Sequence, residues 1–243
     1  MKRLLGVLGG MGPLATVDFM NKVIGLTQAG RDQDHVPMVV YSVPQVPDRT
    51  AAILENAESP LPAMLQGMAV LRQAGAECVA IPCNTAHYWY AELAREGRLP
   101  ILHIADAACE GLAGRGVGGG NVGLLATSGT LAAGFYQDRL AARGYRCVTP
   151  AADDQQKLVM GGIHHVKAGE LDAARQVLER AAHRLIQAGA QAIVLACTEI
   201  PLVLTPESPP GAAALVDATE ALAAACVRWA RAPAAAAPKV AAH

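Results

Sequence analysis

Short apolar runs and longer segments with helical periodicity alternate along the chain. Seven apolar runs have the length of a strand: RLLGVLG, MVVYSV, CVAIP and ILHI in the first half, and NVGLLAT, YRCVTP and AIVLAC in the second. Segments with a helical pattern separate them, including 13–29, 60–74 and 170–188. Strands that alternate with helices in this way are typical of an α/β fold with mainly parallel sheets.

One part of this pattern occurs twice. The segment LRQAGAECVAIPCNT at 71–85 returns as LIQAGAQAIVLACTE at 185–199, and each copy predicts a helix end, a turn, a buried strand and a cysteine at the last strand position. The cysteines Cys83 and Cys197 are 114 residues apart, and the similar stretches GVLGGMGPLA and GLLATSGTLA begin 117 residues apart. Two segments repeated at nearly the same offset indicate an internal duplication.

The duplication predicts two similar α/β domains with mainly parallel sheets, related by a pseudo-two-fold axis, with the active site in the cleft between them. The glycine-rich segment 111–121 marks the seam between the halves. We predict a first domain of residues 1–105 plus about 215–232, because the last helix has no counterpart in the second half and returns to pack on the first. Residues 106–214 form the second domain, and 233–243 a disordered tail.

Composition and charge narrow the class of protein. Hydrophobic residues make up 52% of the chain and aromatic residues 4%, which predicts an aliphatic, alanine-rich core. The formal net charge of −1 gives no electrostatic basis for binding nucleic acid or an anionic membrane. No apolar run approaches the roughly 18 residues of a membrane span, and glycines interrupt the N-terminal apolar run, which we interpret as a strand. We therefore expect a cytoplasmic protein with a small-molecule partner.

Two of the six cysteines stand apart from the others. Cys83 and Cys197 fall where predicted strands end, whereas the other four lie within apolar helix or strand patterns: Cys78, Cys109, Cys147 and Cys226. Ligands of parallel sheets bind beyond the carboxyl ends of the strands, so two facing domains would bring both thiols into one cleft. A thiol with a pKa of about 8.5 is accessible both as thiolate and as thiol. The pair therefore predicts proton removal on one face of a carbon and proton donation on the other, as inversion of that carbon requires.

A carbanion beside a carboxylate needs hydrogen-bond donors. We expect backbone N–H groups at the helix N-termini after each cysteine to supply them, with the side chains of Asn84, Thr85 and Thr198. The segment GGMGPLA has the glycine spacing of a dinucleotide site, but the second strand ends without the acidic residue that would hold a ribose. We interpret it as a helix N-terminus near the substrate carboxylate, covered by Met11. No cofactor and no metal site is expected.

Four separated motifs, GVLGGMGPLAT, PQVPDRTA, IPCNTAH and ACTEIP, resemble the aspartate/glutamate racemase superfamily, most closely its cofactor-independent aspartate racemases. The resemblance extends from residue 4 to about residue 225. It implies that Cys83 and Cys197 are the two acid/base residues, that Arg49 and Lys167 bind the side-chain carboxylate of a dicarboxylic amino acid, and that the protein is a homodimer. The substrate-binding candidates also include Asp48, which either holds the substrate ammonium or braces Arg49, and Glu199 of the Cys-Thr-Glu run.

The leading interpretation is an aspartate racemase that works without pyridoxal phosphate. The peptidoglycan glutamate racemases belong to the superfamily that this chain resembles. They carry Asp-Ser-Gly and Cys-Thr-His where this chain has LGGMG and Cys197-Thr198-Glu199. A racemase of glutamate or of a broader range of amino acids, and an enzyme resembling maleate isomerase, stay open as alternatives. The second cysteine argues against the arylmalonate decarboxylases, which keep one. A solute-binding module that uses the same cleft without chemistry is the non-enzymatic alternative.

Overall fold

The computed structural model describes residues 3–205 and 214–233, which form two four-stranded parallel sheets. The first sheet has the order β2-β1-β3-β4, and its strands are β1 (Leu5–Gly9), β2 (Met38–Ser42), β3 (Cys78–Ala80) and β4 (Ile101–Leu102). The second has the order β6-β5-β7-β8, and its strands are β5 (Gly120–Ala126), β6 (Tyr145–Val148), β7 (Ala192–Ala196) and β8 (Ala214–Asp217).

Helices connect the strands in both halves. The α-helices of the first half are α1 (Pro13–Leu26), α2 (Arg49–Leu54), α3 (Leu61–Gln73), α4 (Tyr90–Glu96) and α5 (Ile104–Gly114). Those that follow are α6 (Ser128–Ala133), α7 (Phe135–Ala141), α8 (Ala152–Asp154), α9 (Gly161–Ala168), α10 (Leu171–Gln187) and α11 (Ala218–Arg231). Short 3₁₀ helices lie at Asp32–Asp34, Thr85–Trp89 and Ile200–Leu202, and a π-helical segment, Gln155–Met160, joins α8 to α9.

The predicted fold class is confirmed. Every strand pair among the described residues is parallel, and the two sheets repeat one strand order, as a duplicated unit requires. All seven predicted strands are present, because a strand of a parallel sheet is covered on both faces and reads as a continuous apolar run. The four-residue strand β8 was not predicted.

The predicted division into domains stays a prediction, although the structure differs from it at one point. Residues 215–217 were assigned to the first domain, but they belong to the second sheet, because Leu215 and Val216 of β8 pair with Ile193 and Val194 of β7. The remainder of that segment forms α11, which packs on α1 and α5. The predicted disordered tail, 233–243, lies outside the described residues apart from Pro233.

The core is aliphatic and rich in alanine, as the composition predicts. One cluster of buried side chains includes Leu5 and Val7 of β1, Val122 and Leu124 of β5, and Leu222 of α11. The two sheets therefore share a continuous apolar core through α5 and α11. This shared core joins the two sheets, and the site lies at their carboxyl ends.

A glycine allows the two halves to approach closely beside the site. Helices α2 and α6 pack together, and a Cβ atom added at Gly129 would lie 3.0 Å from the Cα atom of Thr50. Any larger residue at this position would separate the two helices. Within residues 3–205 and 214–233, no helix combines the length and the apolar character that crossing a bilayer requires.

Candidate active site

Residues from both halves line a small cavity of about 30 Å³ at the carboxyl ends of the sheets. All ten residues singled out from the sequence lie on its wall: Met11, Asp48, Arg49, Cys83, Asn84, Thr85, Lys167, Cys197, Thr198 and Glu199. Thr50 and Thr127, which the sequence did not single out, complete the lining. The structure therefore brings the predicted residues together, and their roles stay predictions.

The two cysteines reach the cavity from different local structures. Cys197 directly follows β7, as predicted, but Cys83 comes three residues after the end of β3, so its predicted position at the strand end is wrong. Pro82 has no N–H group for the ladder, and the N–H of Cys83 instead donates to the Ile81 carbonyl at 2.8 Å in a tight turn. Both cysteines are buried, with 5% and 4% of their surface exposed.

The main chain at Cys83 is fixed by a buried histidine. His87 Nδ1 lies 2.9 Å from the Cys83 carbonyl oxygen, and the N–H of Ile104 donates to His87 Nε2 at 3.3 Å. Burial lowers the pKa of His87 to about 4, so the ring is neutral near pH 7. An Nε2 that accepts leaves the proton on Nδ1, which donates to Cys83.

Neutral His87 makes the stability of the protein dependent on pH. Its pKa is about 6.5 in the unfolded chain and about 4 in the fold, so the unfolded state binds more protons between these values. The stabilisation that neutral His87 provides is fully present above pH ~6.5 and is lost as the pH falls towards 4. By pH 4 the loss in the free energy of unfolding amounts to about 3 kcal/mol. Burial also lowers the pKa of His103, which acts in the same direction. Urea denaturation between pH 7 and 4 measures the loss.

The matched control for this prediction is His87→Asn, which keeps a donor near the Nδ1 position and removes the titrating group. The variant should lose less stability than the wild type over the same pH range. Equal losses in the two proteins would show that other groups, such as the carboxylates that titrate near pH 4, account for the acid sensitivity.

Cys197 is hydrogen-bonded to a carboxylate. Its Sγ donates to Glu199 Oε2 at 3.0 Å, and the Thr198 hydroxyl donates to the same oxygen at 3.2 Å. Burial raises the pKa of the Cys197 thiol well above its usual range, and the charge of Glu199 raises it further, against the opposing effect of Lys167. Cys197 is therefore a protonated thiol in this state. No carboxylate is hydrogen-bonded to the Cys83 thiol in the part of the chain that the structure describes.

The amide of Asn84 is oriented by a tyrosine from the other half. Burial raises the pKa of Tyr136 well above 10, so its hydroxyl stays protonated, and it donates to Asn84 Oδ1 at 2.6 Å. The Nδ2 group is then the free end of the amide: it is buried and has no partner among the described residues. Because Asn84 lines the cavity, this end can donate to an oxygen of a bound ligand. No feature of the sequence pointed to Tyr136.

Arg49 presents a second buried donor without a partner. Its Nη1 donates to the carbonyl oxygens of Val46 and Pro47 at 3.0 and 2.9 Å, while its Nε finds no acceptor among the described residues. An unpaired buried donor is costly, and an anion in the cavity would pair with it. Asp48 Oδ1 caps α2 by accepting from the Ala51 N–H at 2.8 Å. This is neither of the two roles predicted for Asp48, and both stay predictions.

Three threonines join the halves beside the cavity. The Thr85 hydroxyl lies 2.9 Å from the hydroxyls of both Thr127 and Thr130, and Thr127 Oγ1 donates to Thr130 at 3.0 Å. Thr85, predicted to bind substrate, is therefore already engaged across the boundary. The repeat could have indicated Thr127, because at the 117-residue offset it corresponds to Gly10 in the first βα loop.

A glycine with positive φ lies close in sequence to each of two further lining residues, Lys167 and Met11. Lys167 lies in the last turn of α9, which ends at Gly169 with φ +80°, a conformation that favours glycine. Met11 follows Gly10, where φ is +93° and an added Cβ would meet the Val43 main chain at 2.3 Å. Lys167 is exposed and adds positive charge to the site cavity.

Within the described ranges, no three histidine, cysteine or acidic side chains are grouped to hold a metal ion.

The fold and the site together define a two-sheet α/β enzyme of the racemase class. Residues 8–226 match the family described as Asp/Glu/Hydantoin racemase, and the chain belongs to this family. It is thus an isomerase, an amino-acid racemase of the Asp/Glu racemase family.

Named relatives differ in substrate. The chain is similar to the aspartate racemase of Picrophilus torridus, with a TM-score of 0.82, 35% identity and coverage of 94% of each chain. It is 30% identical to the broad specificity amino-acid racemase RacX of Bacillus subtilis, over 83% of this chain and 87% of the relative. It is also 29% identical to a glutamate racemase of Pseudomonas paraeruginosa, over 63% of this chain and 57% of the relative.

Proposed function

We propose that the protein interconverts L- and D-aspartate without pyridoxal phosphate, with Cys83 and Cys197 as the two acid/base residues. The observation that carries this proposal is the pair of buried cysteines, one from each repeat, on the wall of one cavity. Two such groups on opposite sides of a carbon are what inversion requires. The likeness to an aspartate racemase supports the choice of substrate.

The reaction transfers one proton to the enzyme and one from it. In one direction Cys83, as thiolate, takes the proton from Cα while the Cys197 thiol donates its proton to the opposite face. In the other direction Cys197 is the base and Cys83 the acid. Burial and Glu199 keep Cys197 protonated, so in the described structure this thiol is ready to act as the proton donor of the first direction.

The carbanion spreads its charge into the α-carboxylate, which needs hydrogen-bond donors at that moment. Asn84 Nδ2 is buried, unpaired and held in place by Tyr136, so it serves as one donor. Both cysteines are followed by short 3₁₀ helices, Thr85–Trp89 and Ile200–Leu202. The N–H of Ile200 already donates to the Cys197 carbonyl at 3.1 Å, so backbone donation from the second helix would have to come from the residues before Ile200.

Positive charge favours a dicarboxylic substrate. Arg49 Nε faces no acceptor, and Lys167 lies on the same cavity, so a second carboxylate would be bound by two cations. Glutamate differs from aspartate by one methylene, a difference worth about 1–3 kcal/mol in a fitted pocket. The relatives that act on glutamate or on several amino acids make these the alternative substrates.

The cavity of about 30 Å³ has room for about two water molecules, which is less than an amino acid needs. Substrate binding therefore requires the walls to move, and the contacts between the halves, at Gly129 and at the threonines, are where such movement would act. The predicted homodimer and cytoplasmic location stay predictions.

The deciding experiment is incubation of the enzyme with L-aspartate in D₂O. We expect D-aspartate to form with deuterium at Cα, measured by chiral chromatography with mass spectrometry. A panel with L-glutamate and L-alanine ranks the substrates. A solute-binding protein would give no deuterium at Cα, and an enzyme resembling maleate isomerase would convert maleate to fumarate while leaving aspartate unlabelled; either result contradicts the proposal.

A further inference from the structure

A second cavity, of about 280 Å³, adjoins the site on the side of α1 and α9. Its wall includes Gly12, Leu14, Val166 and Leu202. Lys167 and Glu199 line both this cavity and the smaller one that holds the cysteines. Glu199, which is 7% exposed, therefore lies between the small cavity at the cysteines and a much larger one that water can fill.

The two carboxylate oxygens of Glu199 face different groups. Oε2 accepts from the Cys197 thiol at 3.0 Å, whereas no hydrogen bond to Oε1 is found among the described residues. Oε1 points past Gly12, where an added Cβ would come within 3.3 Å of it. The glycine keeps the approach to Oε1 open. A single carboxylate thus connects the buried thiol with the second cavity.

A two-thiol racemase needs such a connection, because each turnover exchanges the protonation states of its cysteines. When Cys197 has donated its proton it is a thiolate, and it must regain a proton before it can donate again. Cys197 is 4% exposed, so direct contact with bulk water is restricted.

We propose that Glu199 relays protons between Cys197 and the second cavity, and so resets the enzyme between turnovers. This role rests on the proposed function, and it replaces the substrate-binding role predicted for Glu199.

In the reset, a water molecule or buffer acid in the cavity protonates Oε1 and leaves as hydroxide or conjugate base. A half-turn of the carboxyl group brings the proton to Sγ: the O–H bond breaks, the S–H bond forms, and the carboxylate is restored. The reverse sequence removes a proton from the Cys197 thiol. Lys167, on the wall of both cavities, favours the thiolate form of Cys197.

The test is Glu199→Gln, which keeps the size of the side chain and a hydrogen-bond acceptor for the thiol but cannot carry a proton. With the enantiomer whose conversion uses Cys197 as the donor, rapid-quench kinetics should show one equivalent of product formed at close to the wild-type rate. Turnover should then slow by ~100-fold, the scale of a lost acid/base group. Glu199→Asp, which keeps a carboxylate one methylene shorter, should show a weaker burst and also serves if the first variant folds poorly.

Rescue by formate is a second measurement, because formate would not restore turnover if Glu199 had a merely structural role. Formic acid fits the second cavity and can protonate Cys197 where glutamine cannot, so formate buffer should restore steady turnover of Glu199→Gln. Chloride at the same ionic strength should not, and neither salt should accelerate the wild type. The matched control Glu96→Gln, an exposed residue paired with Arg95, should behave as the wild type.

Three outcomes overturn the relay. Equal slowing of the first and later turnovers would place Glu199 in substrate binding or in the chemical step. Unchanged steady turnover in the variant would show that Cys197 exchanges its proton directly through the opened site. A burst that formate does not shorten would show that the second cavity is not the route. Failure of the proposed function is distinct from all three, because the wild type itself would then not racemise aspartate.

Discussion

Cys83→Ala and Cys197→Ala are each expected to reduce the racemisation of aspartate by ~10³-fold or more, because each removes an acid/base group that the reaction cannot replace. Chiral chromatography of both reaction directions measures the loss. Each variant can still exchange the Cα proton of one enantiomer with solvent, because one thiol remains on one face. Full racemase activity in either variant would contradict the two-thiol mechanism.

The matched control for these variants is Cys147→Ala. Cys147 lies in β6, is partly buried and does not line the site cavity. The control should retain the activity of the wild type. Circular dichroism of all three variants should show an intact fold, since each change removes a single sulfur atom.

Arg49→Leu is expected to lower kcat/KM for aspartate by the equivalent of about 1.5–3 kcal/mol, the range for a hydrogen bond to a charged group. The reason is that Arg49 lines the cavity and its buried Nε has no partner among the described residues, so under the proposed function it would pair with the second carboxylate of the substrate. Any turnover of alanine, which has no second carboxylate, should fall much less. Steady-state kinetics on both amino acids gives the comparison.

The exposed Arg95, replaced in the same way as Arg95→Leu, provides the surface control and should leave both substrates unaffected. Arg49→Lys should recover part of the loss, because it keeps the charge but not the planar fork of the guanidinium. Equal losses on aspartate and alanine in Arg49→Leu would show that Arg49 supports the α2 turn or the α-carboxylate instead.

The sheets and the choice of Cys83 and Cys197 as a pair could be predicted because both depend on local pattern, although Cys83 lies three residues beyond β3 and not at its end. Strands β5 and β7 are covered on both faces and read as apolar runs, and the repeat placed Cys83 and Cys197 at equivalent points. Strand β8 escaped prediction because it runs directly into α11 at Ala218, so no turn separates its apolar residues from those of the helix. Its place in the second sheet depends on pairing with β7, which the sequence does not display.

The contacts that orient the site could not be predicted, because they join residues far apart in the chain. Tyr136 reaches Asn84 across 52 positions, and His87 meets the Ile104 N–H across 17. Neither pair has a fixed spacing that a motif would record. Glu199 shows the same limit at short range: its place beside Cys197 was visible, but whether it faced the substrate or the thiol depended on side-chain direction.

The unequal surroundings of the two thiols also limit what the kinetics can show. The Cys197 thiol is hydrogen-bonded to the carboxylate of Glu199, whereas the Cys83 thiol is hydrogen-bonded to no carboxylate among the described residues. Enantiomers have equal free energies in water, so thermodynamics requires the forward and reverse values of kcat/KM to be equal however the enzyme is built. The asymmetry at Glu199 must therefore change kcat and KM by the same factor, and the enantiomer that turns over faster must also be the one that saturates the enzyme at the higher concentration.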